Sequence, residues 1–285
     1  MSSSMRHFLD LNRVLGGFTG RNALSRSLPL AAFALLGTAS GANAALQIAW
    51  ESPTGTAPQV LKTYTPEELD KKKTETLTEV DPTAKAGKES AKFTGPSLSA
   101  LVGESTKGLT AADRSTTDLV VLKTRSGKEV PMPKAFLVKY PSIQLALKKN
   151  GQPLGPESPR VVLPATSNSK IRSEGILLDP LFVSELSEIT LTSYEKRFGA
   201  FILKRRTDPA AMRGEKLFVQ NCVGCHSQPA AVMTSLASAE KVEKVASGQH
   251  PDVEGAHDFK PIFDKKSIRS LASYLEAYKF QTAKN

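Results

Sequence analysis

Both cysteines of the chain lie in one pentapeptide, Cys222-Val223-Gly224-Cys225-His226. A Cys-x-x-Cys pair followed at once by histidine is the spacing that attaches a c-type haem, with the thiols adding across the porphyrin vinyl groups as thioethers. The imidazole is then held where it can bind the iron from one side. Cys222 and Cys225 are therefore the expected covalent anchors of one haem c, and His226 the proximal iron ligand. A redox dithiol needs no following histidine, and its context would be a strand entering a helix in a βαβ unit, which this region does not show. Cys222, Cys225, His250 and His257 are acceptable tetrahedral zinc ligands. The stretch between Cys225 and His250 and the six residues between His250 and His257 are longer than the usual finger spacing. A zinc site and a plain disulfide stand as the alternatives.

The elements that must position this motif are two helices. Gly214 and Phe218 lie on one face of a helix expected from about Pro209 to Gln220. Leu271, Tyr274, Leu275 and Tyr278 recur at intervals of three and four, marking a second amphipathic helix from about Lys266 to Phe280. Gly214 with Phe218 against Leu271 and Tyr274 would let the two backbones approach closely. On these residues the stretch from about Asp208 to Lys279 resembles the class I cytochrome c family, whose terminal helices cross at a glycine, a phenylalanine, a leucine and a tyrosine at these spacings. A stretch under about 80 residues usually needs a metal, a disulfide or an equivalent staple, and a haem would supply one. The resemblance implies a distal methionine a little under twenty residues before the tyrosine, but that stretch holds His257 instead. His257 is thus the first candidate for the distal ligand and His250 the alternative. Met233, only seven residues past His226, is a third. Histidine in place of methionine lowers the iron potential.

Upstream, Arg6, Arg13, Arg21 and Arg26 precede an apolar run from Leu28 to Leu36 and the small-residue site Ala42-Asn43-Ala44. That order reads as a cleavable signal peptide over residues 1–44, and the apolar run is short for a membrane span. Haem attachment to such a motif takes place outside the cytoplasmic membrane in the bacteria this chain resembles, so the periplasm is the expected compartment. The formal net charge of +10 falls to +7 without residues 1–44, and +6 of that belongs to residues 45–207. Such an excess suits an acidic redox partner or peripheral association with an anionic membrane. Nucleic acid is not expected, because no aromatic residues interleave the charge. Lys204-Arg205-Arg206 is the sharpest basic cluster.

Residues 45–199 are long enough for a separate domain. Leu119–Thr124 reads as a strand, Arg125-Ser126-Gly127-Lys128 as a turn and Glu129–Met132 as the returning strand. Lys149-Asn150-Gly151 is a second turn, four prolines punctuate 153–164 around Val161-Val162-Leu163, and Ile189–Ser193 closes the set. Short helices are expected from Thr65 to Lys72 and from Ser97 to Gly103, and Ala84–Lys92 as a surface loop. Phe93-Thr94-Gly95-Pro96-Ser97-Leu98, the 119–133 hairpin, and Val161 to Pro164 leading through Ile171 to the strand at Ile189 together resemble the molybdopterin-binding domain of the sulfite oxidase family. Catalytic members hold molybdenum through a cysteine thiolate. The corresponding region, near Glu79-Val80-Asp81-Pro82, has no thiol, and no histidine lies between residue 45 and His226. Molybdopterin chemistry is accordingly not expected.

The sequence thus predicts an α+β chain: a signal peptide (1–44), a mainly β domain (45–199), a basic linker (200–207) and an all-α cytochrome c domain (208–285). The expected function is single-electron transfer, with the β-rich domain as a docking or vestigial cofactor module. The competing expectation is a haem enzyme or oxidoreductase subunit with an open distal site, acting on peroxide, an oxyanion or a sulfur compound.

Overall fold

The computed structural model describes residues 45–55, 57–81, 89–223, 239–246 and 263–282. The chain is of mixed α and β content. Its strands are β1 (Leu46–Trp50), β2 (Gln59–Tyr64), β3 (Thr74–Val80), β4 (Ser90–Pro96), β5 (Leu119–Thr124), β6 (Glu129–Pro133), β7 (Gln144–Ala146), β8 (Lys148–Lys149), β9 (Gln152–Pro153), β10 (Arg160–Val162) and β11 (Leu186–Thr192). The helices of the same region are α1 (Pro66–Asp70), α2 (Leu98–Ser105), α3 (Ala111–Thr116), α4 (Lys134–Lys139) and α5 (Tyr194–Phe198).

One sheet has the order β2-β1-β11-β5-β6, a second has β3-β4-β8-β9, and β7 pairs with β10. The β5–β6 hairpin is antiparallel with Leu122 opposite Val130. It turns at Gly127, whose φ of +85° is the left-handed region that glycine occupies without Cβ strain. Asn150 and Gly151, with φ of 52° and 81°, turn the β8–β9 hairpin in the way Asn-Gly pairs favour. Strand β11 lies at the centre, parallel to β1 and antiparallel to β5. Its Ile189 and Leu191 are fully buried, in the same apolar core as Leu46, Ile48, Val120 and Leu122.

Helix α1 carries a capping box, Thr65 accepting from the Glu68 amide while Glu68 accepts from the Thr65 amide, and Pro66 opens the helix. Ser97 caps α2 through the Ala100 amide. The expected loop over Ala84–Lys92 differs at its end. Residues 82–88 lie outside the described residues, but Ser90–Lys92 belong to β4, because Ala91 and Phe93 alternate into a small apolar cluster with Leu77 and Val162.

Behind that cluster Arg160, 1% exposed, reaches Asp81 at 3.4 Å and Glu157 at 3.2 Å. Lys149 also pairs with Asp81, and the guanidinium lies 5.7 Å from the centre of the Phe93 ring. Glu79, 1% exposed, accepts from the Thr166 amide and hydroxyl. The carboxylates in the Glu79–Asp81 stretch are thus engaged in binding the β-rich part to itself.

The C-terminal helices are α6 (Pro209–Asn221), α7 (Ala239–Ala246) and α8 (Lys265–Thr282). They build a second core from Phe201, Leu203, Ala211, Phe218, Val219, Val223, Val242, Leu271, Tyr274, Leu275 and Tyr278. Residues 200–207, read from sequence as a basic linker, do not behave as one. Phe201 and Leu203 are only 3% and 4% exposed and complete this core, and Tyr194 and Phe198 pack against it from α5. Phe201 and Leu203, two residues apart in extended chain, point inward, while Ile202 between them is half-buried and Lys204, Arg205 and Arg206 are exposed. Among the described residues, no helix is long and apolar enough to cross a membrane.

At Gly95 an added Cβ would sit 2.0 Å from the Leu145 carbonyl oxygen, so β4 and β7 approach closely only because the side chain is missing. Gly95→Ala is expected to destabilise the protein by about 2 kcal/mol or more, since both obstructing groups are backbone. Chemical denaturation of the purified chain measures this, and an unchanged midpoint contradicts it.

Candidate functional site

Helix α6 starts on Asp208, whose carboxylate accepts from the Ala210 amide at 2.8 Å, with Pro209 in the first turn. It ends at Asn221. Cys222 is its C-cap and donates its backbone N–H to the Phe218 carbonyl at 2.8 Å. Asp264 opens α8 by accepting from the Ser267 amide at 2.7 Å, and those backbone hydrogen bonds hold its carboxyl below the usual range.

The two helices cross at Gly214. A Cβ there would lie 1.9 Å from the Ser270 carbonyl oxygen and 2.7 Å from Tyr274 Cβ, so no other residue type fits this crossing unchanged. Around it the rings interlock: Phe218 and Tyr274 lie 5.3 Å apart, Phe218 and Phe201 5.7 Å, and Tyr274 and Tyr278 5.9 Å. Cys222 packs against this aromatic core and Val223 is buried in it. The glycine, phenylalanine, leucine and tyrosine named from sequence spacing are thus brought together, and the end of α6 delivers Cys222 to their edge.

A strap of side-chain hydrogen bonds holds the 200–204 segment across the helix pair. The Tyr274 hydroxyl donates to Phe201 O at 2.7 Å, Tyr278 to Ala200 O at 2.6 Å, and Gln281 Nε2 to Ile202 O at 3.4 Å. The Leu203 amide donates to Glu215 Oε2 at 2.7 Å and the Lys204 amide to Gln281 Oε1 at 2.6 Å. Glu215, 6% exposed, meets Arg206 at 3.0 Å through its other oxygen. Burial pushes the Tyr274 phenol well above its ordinary pKa, with Tyr278 and Glu215 adding to the rise, so this hydroxyl remains a donor at any physiological pH. Sequence reasoning missed the strap; the signal available was Tyr274, Tyr278 and Gln281 on one helical face.

On the other side α6 meets the turn at 174–178. Glu174 Oε1 accepts from both Lys139 Nζ and the Tyr140 hydroxyl, each at 2.5 Å, and the Lys139 hydrogen bond leads in holding its carboxyl below the ordinary value of 4.5. Of the residues named from sequence, Cys222 is placed as described. Cys225, His226, Met233, His250 and His257 lie outside the described residues, as does the signal-peptide reading of residues 1–44. Among the described residues no group of three or more histidine, cysteine or acidic side chains could hold a metal.

No family model matches the chain, and no curated protein matches it. Among solved structures, the sulfane dehydrogenase SoxCD from Paracoccus pantotrophus is similar at 17% identity and a TM-score of 0.37, over 55% of this chain and 41% of that one. The chain therefore spans about two fifths of that protein's chain.

Two outcomes follow from this geometry. A fragment starting at Ser193, which keeps α5 and the strap, should unfold at a higher temperature than one starting at Asp208; equal melting temperatures would show the strap to be idle. Glu174 has a depressed folded pKa, so its contribution to stability is complete above pH 4.5 and is lost as pH falls through the lower folded value. Glu174→Gln should flatten the fall in melting temperature below pH 4.5, and an identical acid profile would contradict this.

Proposed function

We propose that this chain is a periplasmic mono-haem c-type cytochrome that carries single electrons, exported by its N-terminal signal peptide. The observation that carries the reading is the α6–α8 crossing at Gly214, which ends at Cys222, the first residue of the Cys-Val-Gly-Cys-His pentapeptide. Cys222 packs at the edge of an aromatic and aliphatic core, a surrounding that supports a porphyrin anchored there. When bound, the haem supplies a one-electron iron couple.

The chain's own residues divide the work. Cys222 and Cys225 would fix the group covalently, His226 would ligate from one face, and His257 or His250 from the other. Phe218, Val223, Leu271 and Tyr274 exclude water at the Cys222 edge and lower the local dielectric. Close packing of these side chains leaves little room for rearrangement when charge changes, which favours fast transfer. Tyr274 spends its proton on the Phe201 carbonyl and does not release it, so electron movement is uncoupled from proton movement there. The β-rich part acts as a docking module. Its excess of positive charge recruits an acidic redox partner and allows peripheral contact with an anionic membrane.

Low-temperature electron paramagnetic resonance of the oxidised, exported protein tests the reading. A low-spin ferric signal is expected, lost in His257→Ala or, as the alternative, in His250→Ala. Carbon monoxide added to the reduced protein should leave its spectrum unchanged on mixing. A high-spin signal with immediate carbon monoxide binding would instead establish an open-site haem enzyme and overturn the carrier role.

A further inference from the structure

The residue immediately before the pentapeptide carries an unusual number of bonds. Asn221 Oδ1 accepts the Leu177 amide at 2.8 Å, while Nδ2 donates to Gly175 O at 3.1 Å and to Leu217 O at 2.9 Å. Leu217 is four residues back along α6, so this bond ties the side chain to the last turn of its own helix. One side chain therefore joins the last turn of the helix to a separate turn. A primary amide of this length offers one acceptor oxygen and two N–H donors, and all three functions are used. Aspartate lacks the donors, leucine lacks everything but the shape, and asparagine is a poor helix former at a position where only its polar reach recommends it.

The clamped turn is itself rigid. Gly175 adopts φ of +68°, Ile176 is 6% exposed in the core of the β-rich part, and Glu174 is tied to Lys139 and Tyr140. A continuous chain of contacts thus runs from the first core through Ile176 and the turn to Asn221, and from there across one peptide bond to Cys222.

We infer that Asn221 is a positioning residue through which the β-rich part fixes the backbone of Cys222 and so tunes the redox site. The tuning rests on the proposed haem; the mechanical link does not. It gives the β-rich part a role beyond docking, because whatever loosens or tightens the 174–178 turn is felt at the attachment point.

The test is amide exchange on the purified full-length chain, followed where haem is present by redox titration. Asn221→Leu should speed exchange at Leu177 and Cys222 together by about tenfold, leaving Val121 and Thr190 in the central sheet unchanged. Asn221→Asp keeps the acceptor and should leave Leu177 protected. Ile176→Ala changes only the far side of the turn, and it should still raise exchange at Cys222 and shift the midpoint potential in the same direction as Asn221→Leu. Exchange at Cys222 that stays at the wild-type rate in Ile176→Ala, with the turn itself loosened, would overturn the coupling. So would a uniform rise over the whole chain. A chain without haem defeats the cytochrome reading alone, since the exchange measurements still decide the role of Asn221.

Discussion

The contact between Gly214 and the Ser270 carbonyl is the constraint on which the C-terminal half depends. Helix backbones pack this closely only where one of them lacks a side chain, and here a single Cβ would meet backbone oxygen, backbone carbon and Tyr274 at once. Everything around the crossing uses that proximity. It brings Phe218 and Tyr274 to van der Waals range, aligns Tyr274, Tyr278 and Gln281 with the 200–204 segment, and fixes the direction in which α6 ends. Cys222 is placed by a glycine two helical turns away rather than by anything in its own pentapeptide.

The strap and the Asn221 clamp change what kind of molecule this is. A flexible tether between two domains would let each find its own orientation. Here Phe201 and Leu203 of the connecting segment are buried, and backbone groups from Ala200 to Lys204 are met by side chains of α6 and α8. Burying backbone without such partners would cost a few kcal/mol per group, so Tyr274, Tyr278, Glu215 and Gln281 are what permit Phe201 and Leu203 to turn inward. On the opposite side of α6, Asn221 supplies the same service for the turn at Gly175 and Leu177. The β-rich and helical parts are therefore joined along two faces of one helix.

Much of this was legible in the residues. Periodicity of three and four marked α6 and α8 to within two residues, because helix amphipathicity and its Asp208 and Pro209 start signals are local. The β5–β6 and β8–β9 hairpins followed from Gly127 and Asn150-Gly151, whose positive φ values are written into residue type. The parallel pairing of β1 with β11 was not legible: Ile48 and Ile189 are partners across nearly the whole β-rich part, and no local pattern records such a pairing. Strands β3 and β4 escaped for a different reason, since charged and threonine residues on their open face mask the alternation of Leu77, Ala91 and Phe93. The strap escaped because side-chain bonds to backbone carbonyls leave no signature at the accepting residues, and Lys204-Arg205-Arg206 suggested solvent where Phe201 and Leu203 turn inward. Helices α3 and α4 are short: α4 is held by burying Phe136 and Leu137, whereas α3 buries none of its residues and starts on its Thr110 cap.

The proposed carrier role requires two thioether bonds that join Cys222 and Cys225 to one haem. Mass spectrometry of the peptide spanning residues 217–240, released from protein exported by a host that matures c-type cytochromes, reads those bonds. The expected peptide carries the mass of one haem and shifts to the bare mass when Cys222 and Cys225 are both replaced by serine. A wild-type peptide at its bare mass, with both thiols open to alkylation, would contradict it.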